Sequence, residues 1–363
     1  MNRRINYDYI KIGFQGYFLL KASLIRKRHI SSKTGRTLIV NTCLIGDFMG
    51  SLPALITHIN GAKKRRIKVD LLVSPILETL ASRIKGVNKV YVAKSLSSRD
   101  LEWNDKINDF GKYDEVIIIR ISKESYKLLK TIDAEIVRSS FSIISKYFFH
   151  ALKKCLLKKP CKQYREAVFE ILNERVTNVK FAEIFNFNRT DYRKIRNLEE
   201  MNTNRKIVII HTGSSWEMNM WENKKWVKLV KGINGIGNFQ FIFVGGKDEE
   251  KDYKEISSKL NFRTYSLINK INICDLMLVL RISNYFIGVD SGPRNMAHIA
   301  ELGSVVLLGP GPHMFMPLSK KDIVIDKSNN GGAYQRIFYK MNSFVKEIMV
   351  EEVYNSFEEL CKK

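Results

Sequence analysis

Short apolar runs alternate along this chain with stretches of helical apolar spacing. The clearest unit runs through residues 285–309. Tyr285, Phe286, Ile287 and Val289 are aromatic or β-branched, which predicts a strand buried on both faces of a parallel sheet. Asp290-Ser291-Gly292-Pro293 follows. Asp290 or Ser291 suits a helix cap, Gly292 lets a ligand approach the backbone, and Pro293 suits a first helical turn. Met296, Ala297, Ile299 and Ala300 form a helical apolar face, Gly303 is expected to end the helix, and residues 305–308 to begin another strand. In open α/β sheets ligands bind at such turns, beyond the C-terminal ends of strands.

The same pattern extends through the chain. In the first half it predicts strands at 37–41, 67–73, 87–92, 115–119 and 134–137. Helices are expected at 48–59 (with Pro53 an awkward member), 76–84, 101–110, 122–132 and 165–176. Residues 185–204 are polar and weakly periodic and read as a linker. The second half predicts strands at 207–210, 239–244, 263–267 and 323–325 besides those above, and helices at 225–233, 249–260, 273–282 and 344–360. The expected fold is α/β: two Rossmann-like doubly wound domains, 37–195 and 205–342, facing across a cleft. A basic extension, 1–36, precedes them and a C-terminal helix, 343–363, follows.

Length and charge narrow the partners. A chain of 363 residues suits two domains. Lys plus Arg number 61 against 37 acids, a formal charge of +24, which points to anionic partners. Residues 1–36 and 142–162 mix Lys and Arg with aromatic and aliphatic residues; each fits an interfacial helix on an anionic membrane equally with a packed helix bearing solvated charges. No apolar run is long enough to span a bilayer, and the five cysteines lack metal or disulfide spacing, so a cytoplasmic setting is expected. No GxGxxG follows the first strand, and P-loop, HExxH, DxD and GxSxG motifs are absent. No metal is expected, and no nucleic-acid-binding motif accompanies the charge.

The candidate chemistry lies in turns expected at strand ends. Asp47 follows Gly46 at a loop–helix junction, where it could serve as a general base or as the N-cap of a helix starting near Phe48. Thr212, Gly213, Ser214 and Ser215 offer hydroxyls and amides to phosphate oxygens, or only local turns. Gly245-Gly246 and Asp290-Ser291-Gly292 complete the set.

Taken in order, these turns resemble glycosyltransferase family 9, the lipopolysaccharide heptosyltransferase family. The resemblance rests on Ile45-Gly46-Asp47 with Leu52-Pro53-Ala54-Leu55, His211-Thr212-Gly213-Ser214-Ser215, Gly245-Gly246 with Asp248-Glu249, Asp290-Ser291-Gly292-Pro293 with Met296-Ala297, and Gly309-Pro310. It implies a GT-B-like fold, with the acceptor held mainly by the first domain and the nucleotide sugar by the second. It also implies a metal-independent, inverting transferase with no cofactor, using a nucleotide-diphosphate sugar and a glycolipid or oligosaccharide acceptor at the cytoplasmic face of the inner membrane. By resemblance Asp47 deprotonates the acceptor, beside Gly46. Ser214 and Ser215 meet the diphosphate, Glu249 the ribose, and Asp290, Ser291 and Gly292 the sugar and phosphates. The chain departs from the family where Asn219 replaces a lysine, Arg294 a methionine and Asn295 a histidine. Arg294, Lys224 or Lys225 is the expected replacement for the lysine's charge. A member that binds without turnover, and a nucleic-acid-binding protein, are the competing readings.

Overall fold

A computed structural model describes residues 34–93, 111–119, 132–139, 164–201, 203–214, 219–309, 319–327 and 344–363. The expected helix at 101–110, residues 122–131 of the helix expected at 122–132, the basic stretch 142–162 and residues 1–33 of the stretch 1–36 lie outside these residues.

The first sheet is built from β1 (Arg36–Asn41), β2 (Lys68–Val73), β3 (Val87–Val92), β4 (Lys112–Ile118) and β5 (Asp133–Ser139). All pairs are parallel, in the order β3-β2-β1-β4-β5. Leu38, Ile39, Val40, Leu71, Leu72, Ile117 and Ile118 are buried, as expected of strands covered on both faces. At the starting edge of this sheet the buried Asp70 carboxylate accepts hydrogen bonds from Arg36 (2.7 Å), Tyr113 (2.8 Å) and Asn88 (2.6 Å), one from each of β1, β4 and β3. Burial, Tyr91 and Asp70 push the Tyr113 phenol up.

Helix α1 (Ile45–Lys64) begins before and ends after the expected 48–59. Pro53 lies inside it, although an interior proline costs about 3 kcal/mol. The buried face of Phe48, Met49, Leu52, Leu55, Ile56 and Ile59 outweighs that loss. The expected helix 76–84 is only two short turns, Pro75–Leu77 and Glu78–Ala81. Helix α2 spans Tyr164–Ile171.

Residues 185–204, expected as a linker, contain helix α3 (Arg189–Arg196). Asn188 caps it, accepting from Asp191 N–H at 3.0 Å while Asp191 accepts from Asn188 N–H at 2.8 Å. The chain divides into two compact units. Ile45–Gly50, the start of α1, and Lys180–Lys363 group with the second, whereas the described parts of Met1–Leu44 and Ser51–Tyr147 and the segment Glu166–Val179 form the first.

The second sheet contains β6 (Lys206–His211), β7 (Phe239–Phe243), β8 (Tyr265–Ser266), β9 (Tyr285–Val289), β10 (Gly303–Leu308) and β11 (Asp322–Asp326). Their order is β11-β10-β9-β6-β7-β8, all parallel. The chain winds outward from β6 to β8 and then from β9 to β11, so the switch point falls between β6 and β9. There His211 pairs with Gly288, and a Cβ on Gly288 would come within 2.9 Å of the His211 carbonyl. Only glycine permits that approach.

Helices α4 (Asn223–Asn234), α5 (Glu250–Ser257), α6 (Ile273–Ile282), α7 (Gly292–Ile299) and α8 (Val350–Lys362) complete this unit. Trp226, Leu229 and Val230 of α4 join Val353, Phe357 and Leu360 of α8 in one core with Phe241, Ile287 and Val305. Helix α8 is shorter than the expected 344–360. The Ile348 carbonyl is taken by Trp221 Nε1–H (3.0 Å) and Lys225 Nζ (2.9 Å), and a new helix starts at Val350. Gly303 does not end α7. Glu301 does, in the left-handed conformation (φ 61°), with Leu302 N–H bonded to the Ala297 carbonyl. Its carboxylate accepts from Phe181 N–H and Arg281, which offsets the strain.

Candidate functional site

In the second sheet the parallel strands β10, β9, β6 and β7 are consecutive neighbours, so their ends lie along one edge. The turns singled out above leave from these ends: Gly309 from β10, Asp290–Gly292 from β9, Thr212–Ser214 from β6 and Gly245-Gly246 from β7. Ser215, together with Pro310 and Gly311, lies outside the described residues.

Two neighbouring turns meet through one carboxylate. Glu249 accepts from Gly246 N–H at 2.7 Å. The same side chain packs on the bare backbone of Gly245 and Gly213, and a Cβ at Gly213 would overlap its carboxyl group. His211, fully buried beneath them, donates from Nδ1 to the Val244 carbonyl at 2.9 Å. Burial lowers its pKa and keeps the ring neutral, against the opposing Glu249 charge. A neutral histidine therefore ties the ends of β6 and β7 together. Thr212 is buried while Ser214 is half-buried.

The third turn opens α7. Ser291 holds the N-cap place, but its hydroxyl donates to the Val289 carbonyl at 3.0 Å and caps nothing. Asp290, Ser291 and Gly292 are half-buried. Pro293, in the first turn of α7, has no N–H to offer, and the helix start presents its remaining first-turn amides on this side.

The start of α1 groups with this unit and lies against the same turn. A Cβ on Gly46 would be 2.8 Å from Asn295 Nδ2, and one on Gly292 would be 3.2 Å from Ile45 Cβ. Asp47 is half-buried in the first turn of α1. Because the helix begins at Ile45, with Leu44 at the N-cap place, Asp47 does not cap it. The free N–H groups of a first turn favour a negative charge there.

The expected replacement cations each have partners within the protein. Arg294 is fully buried, its guanidinium 3.3 Å from the buried Asp322 carboxylate and 3.2 Å from Asn295 Oδ1. Its charge is felt by Asp290 of the turn as well as by Asp322. Lys225 donates to the Lys346 and Ile348 carbonyls. Lys224 pairs with Glu222 at 2.8 Å in an exposed position. Asn219 is buried, with its amide oxygen against Gly309. Asp322 and His298 (3.5 Å apart) form a polar group under the turn that the sequence reading missed. Burial alone would raise the Asp322 carboxyl, but His298, Arg294 and the Ser319 N–H overcome it and hold it below the ordinary range.

Residues 120–338 match a known family, described as Glycosyltransferase family 9 (heptosyltransferase). No curated protein matches the chain. Among solved structures, the glycosyl transferase family 9 protein from Veillonella parvula is similar with a TM-score of 0.69 at 16% identity, over 91% of this chain and 98% of that one. E. coli ADP-heptose lps heptosyltransferase II gives 0.66 at 16% identity, over 90% and 98%. E. coli heptosyltransferase WaaC with ADP-2-deoxy-2-fluoro heptose gives 0.63 at 17% identity, over 89% and 99%. At such identities these likenesses concern the fold.

Proposed function

Because this chain belongs to glycosyltransferase family 9, we propose that it transfers a heptose or related sugar from a nucleotide diphosphate to a lipopolysaccharide-type or other surface glycan. The reaction is inverting and uses no metal. Asp47 accepts the proton of the acceptor hydroxyl as that oxygen attacks the anomeric carbon, and the nucleoside diphosphate leaves from the opposite face. Amides of Gly213, Ser214, Gly292 and Arg294, with the Ser214 and Ser215 hydroxyls, receive the charge that develops on the diphosphate. Glu249 meets the ribose, and Asp290 holds the donor sugar.

The observation that carries this reading is the convergence of the 212–214, 245–249 and 290–292 turns on one sheet edge, with the Ile45–Gly50 turn packed on Gly292 and Asn295. The engagement of Lys224 and Lys225 elsewhere favours the second reading, a member that binds nucleotide sugars without turnover. A thermal-shift screen of nucleotide sugars identifies the donor, since a ligand selective for the folded state stabilises it. Release of nucleotide in the presence of acceptor then separates transfer from binding alone.

Among the described residues no helix is long and apolar enough to cross a membrane. We place the protein at the cytoplasmic face of the inner membrane, held by the basic stretches 1–36 and 142–162. Each Lys or Arg near an anionic surface contributes about 1 kcal/mol. Sedimentation with anionic vesicles at low salt, lost at high salt, is the expected result; its absence refutes this location.

A further inference from the structure

The buried polar side chains beneath the Asp290–Gly292 turn have no part in the transfer just described, yet they end on it. Asp322 opens β11, fully buried, and its Oδ2 accepts from Ser319 N–H at 2.7 Å. The same oxygen lies 3.3 Å from Arg294 Nη2, and Arg294 Nη1 donates to Asn295 Oδ1 at 3.2 Å. A guanidinium presents N–H groups in two fixed directions at once, which a lysine does not. With Oδ1 held in this way, the Asn295 amide turns Nδ2 toward Gly46, where an added Cβ would lie 2.8 Å away. Gly292 closes the other side against Ile45. The result is a chain of contacts that is polar from the start of β11 to Asn295 and then packs against Gly46 in the first turn of α1.

From this chain of contacts we infer that Arg294 and Asn295 are positioning residues, which hold the turn bearing Asp47 in register with Asp290–Gly292. This role rests on the proposed transfer, in which Asp47 and the donor must meet in a fixed geometry. A displacement of about 1 Å between reacting groups can reduce turnover about 10²-fold.

The test uses the full chain with Arg294→Met and Asp322→Leu together, so that no lone charge is left buried. Amide exchange over Ile45–Gly50 is measured without ligand, then ADP affinity and the kcat for ADP-heptose with a heptose-deficient lipopolysaccharide. The expected result is a melting temperature near that of the wild type with exchange over Ile45–Gly50 about tenfold faster. A kcat lowered about 10- to 100-fold and ADP affinity within about threefold should accompany it. Asn295→Ala, which leaves the ion pair intact, should reproduce the exchange and kcat changes even if the double variant fails to fold. Unchanged exchange overturns the inference, and so does faster exchange with unchanged kcat. If the wild type turns over no nucleotide sugar, the transfer reading fails, and the exchange result alone supports or overturns the tie between the turns.

Discussion

Each sheet of this protein buries a carboxylate, and the two are held in different ways. Asp70 lies at the starting edge of the first sheet, with bonds of 2.6–2.8 Å from residues on three neighbouring strands. Rigid strands supply every partner, so the group staples the sheet. Asp322 opens β11 in the second sheet, and its partner Arg294 comes from a short helix at 3.3 Å. Its Oδ1 has no partner among the described residues. The first cluster is saturated and far in sequence from any candidate turn. The second is looser and adjoins Asn295 and Gly292. A buried charge is weak grounds for stability by itself. What it reaches decides what it does.

The largest effect should come from the turn that the second cluster supports. Asp47→Asn is expected to lower turnover about 10²–10⁴-fold with folding and nucleotide affinity retained. Steady-state kinetics beside a melting curve checks this, and near-normal turnover would reduce Asp47 to a first-turn carboxylate. Asp70→Ala should destabilise by about 1–3 kcal/mol, since it removes the acceptor of the buried Tyr113 hydroxyl and of Asn88 and Arg36. Urea unfolding measures that loss, and nucleotide affinity should not change. A loss of affinity as large as that in a donor-turn variant would erase the contrast between the clusters.

The strands were largely legible in the sequence, because β-branched runs covered on both faces are continuous and end abruptly. β9 and α6 have the bounds expected of them. Helix limits were less legible. Pro53 reads as a break, but packing of the face around it carries the helix through. Glu301 adopts a glycine-like conformation because Phe181 and Arg281, distant in sequence, bind its carboxylate. The candidate turns were legible as motifs, whereas Arg294 was not. Its burial depends on Asp322, which a sequence reading has no means to place beneath it.

A smaller effect probes the donor turns. Gly213→Ala drives a Cβ into the Glu249 carboxyl and should weaken nucleotide binding about tenfold, or about 1.4 kcal/mol. Glu249→Ala in the same chain should remove the steric part of that loss, which a double-mutant cycle by calorimetry resolves.

The smallest effect concerns pH. Burial lowers the pKa of His211 and of His58, the latter against the charge of Glu174. The unfolded chain then binds more protons near and below pH 6.5, so stability should be full above that value and decline as pH falls. Melting temperatures between pH 7.5 and 5 should fall by roughly a few degrees. His58→Phe should flatten part of the slope in the first unit without altering nucleotide affinity.

On the proposed reading, the strand-ending edge of the second sheet receives the nucleotide sugar beside the turn that bears Asp47. Amide exchange with and without ADP-heptose tests it directly. Protection is expected at Thr212–Ser214, Gly245–Glu249, Asp290–Asn295 and Ile45–Gly50, with none around Asp70. Protection confined to the strand-starting edge of either sheet, with these turns unchanged, would contradict it.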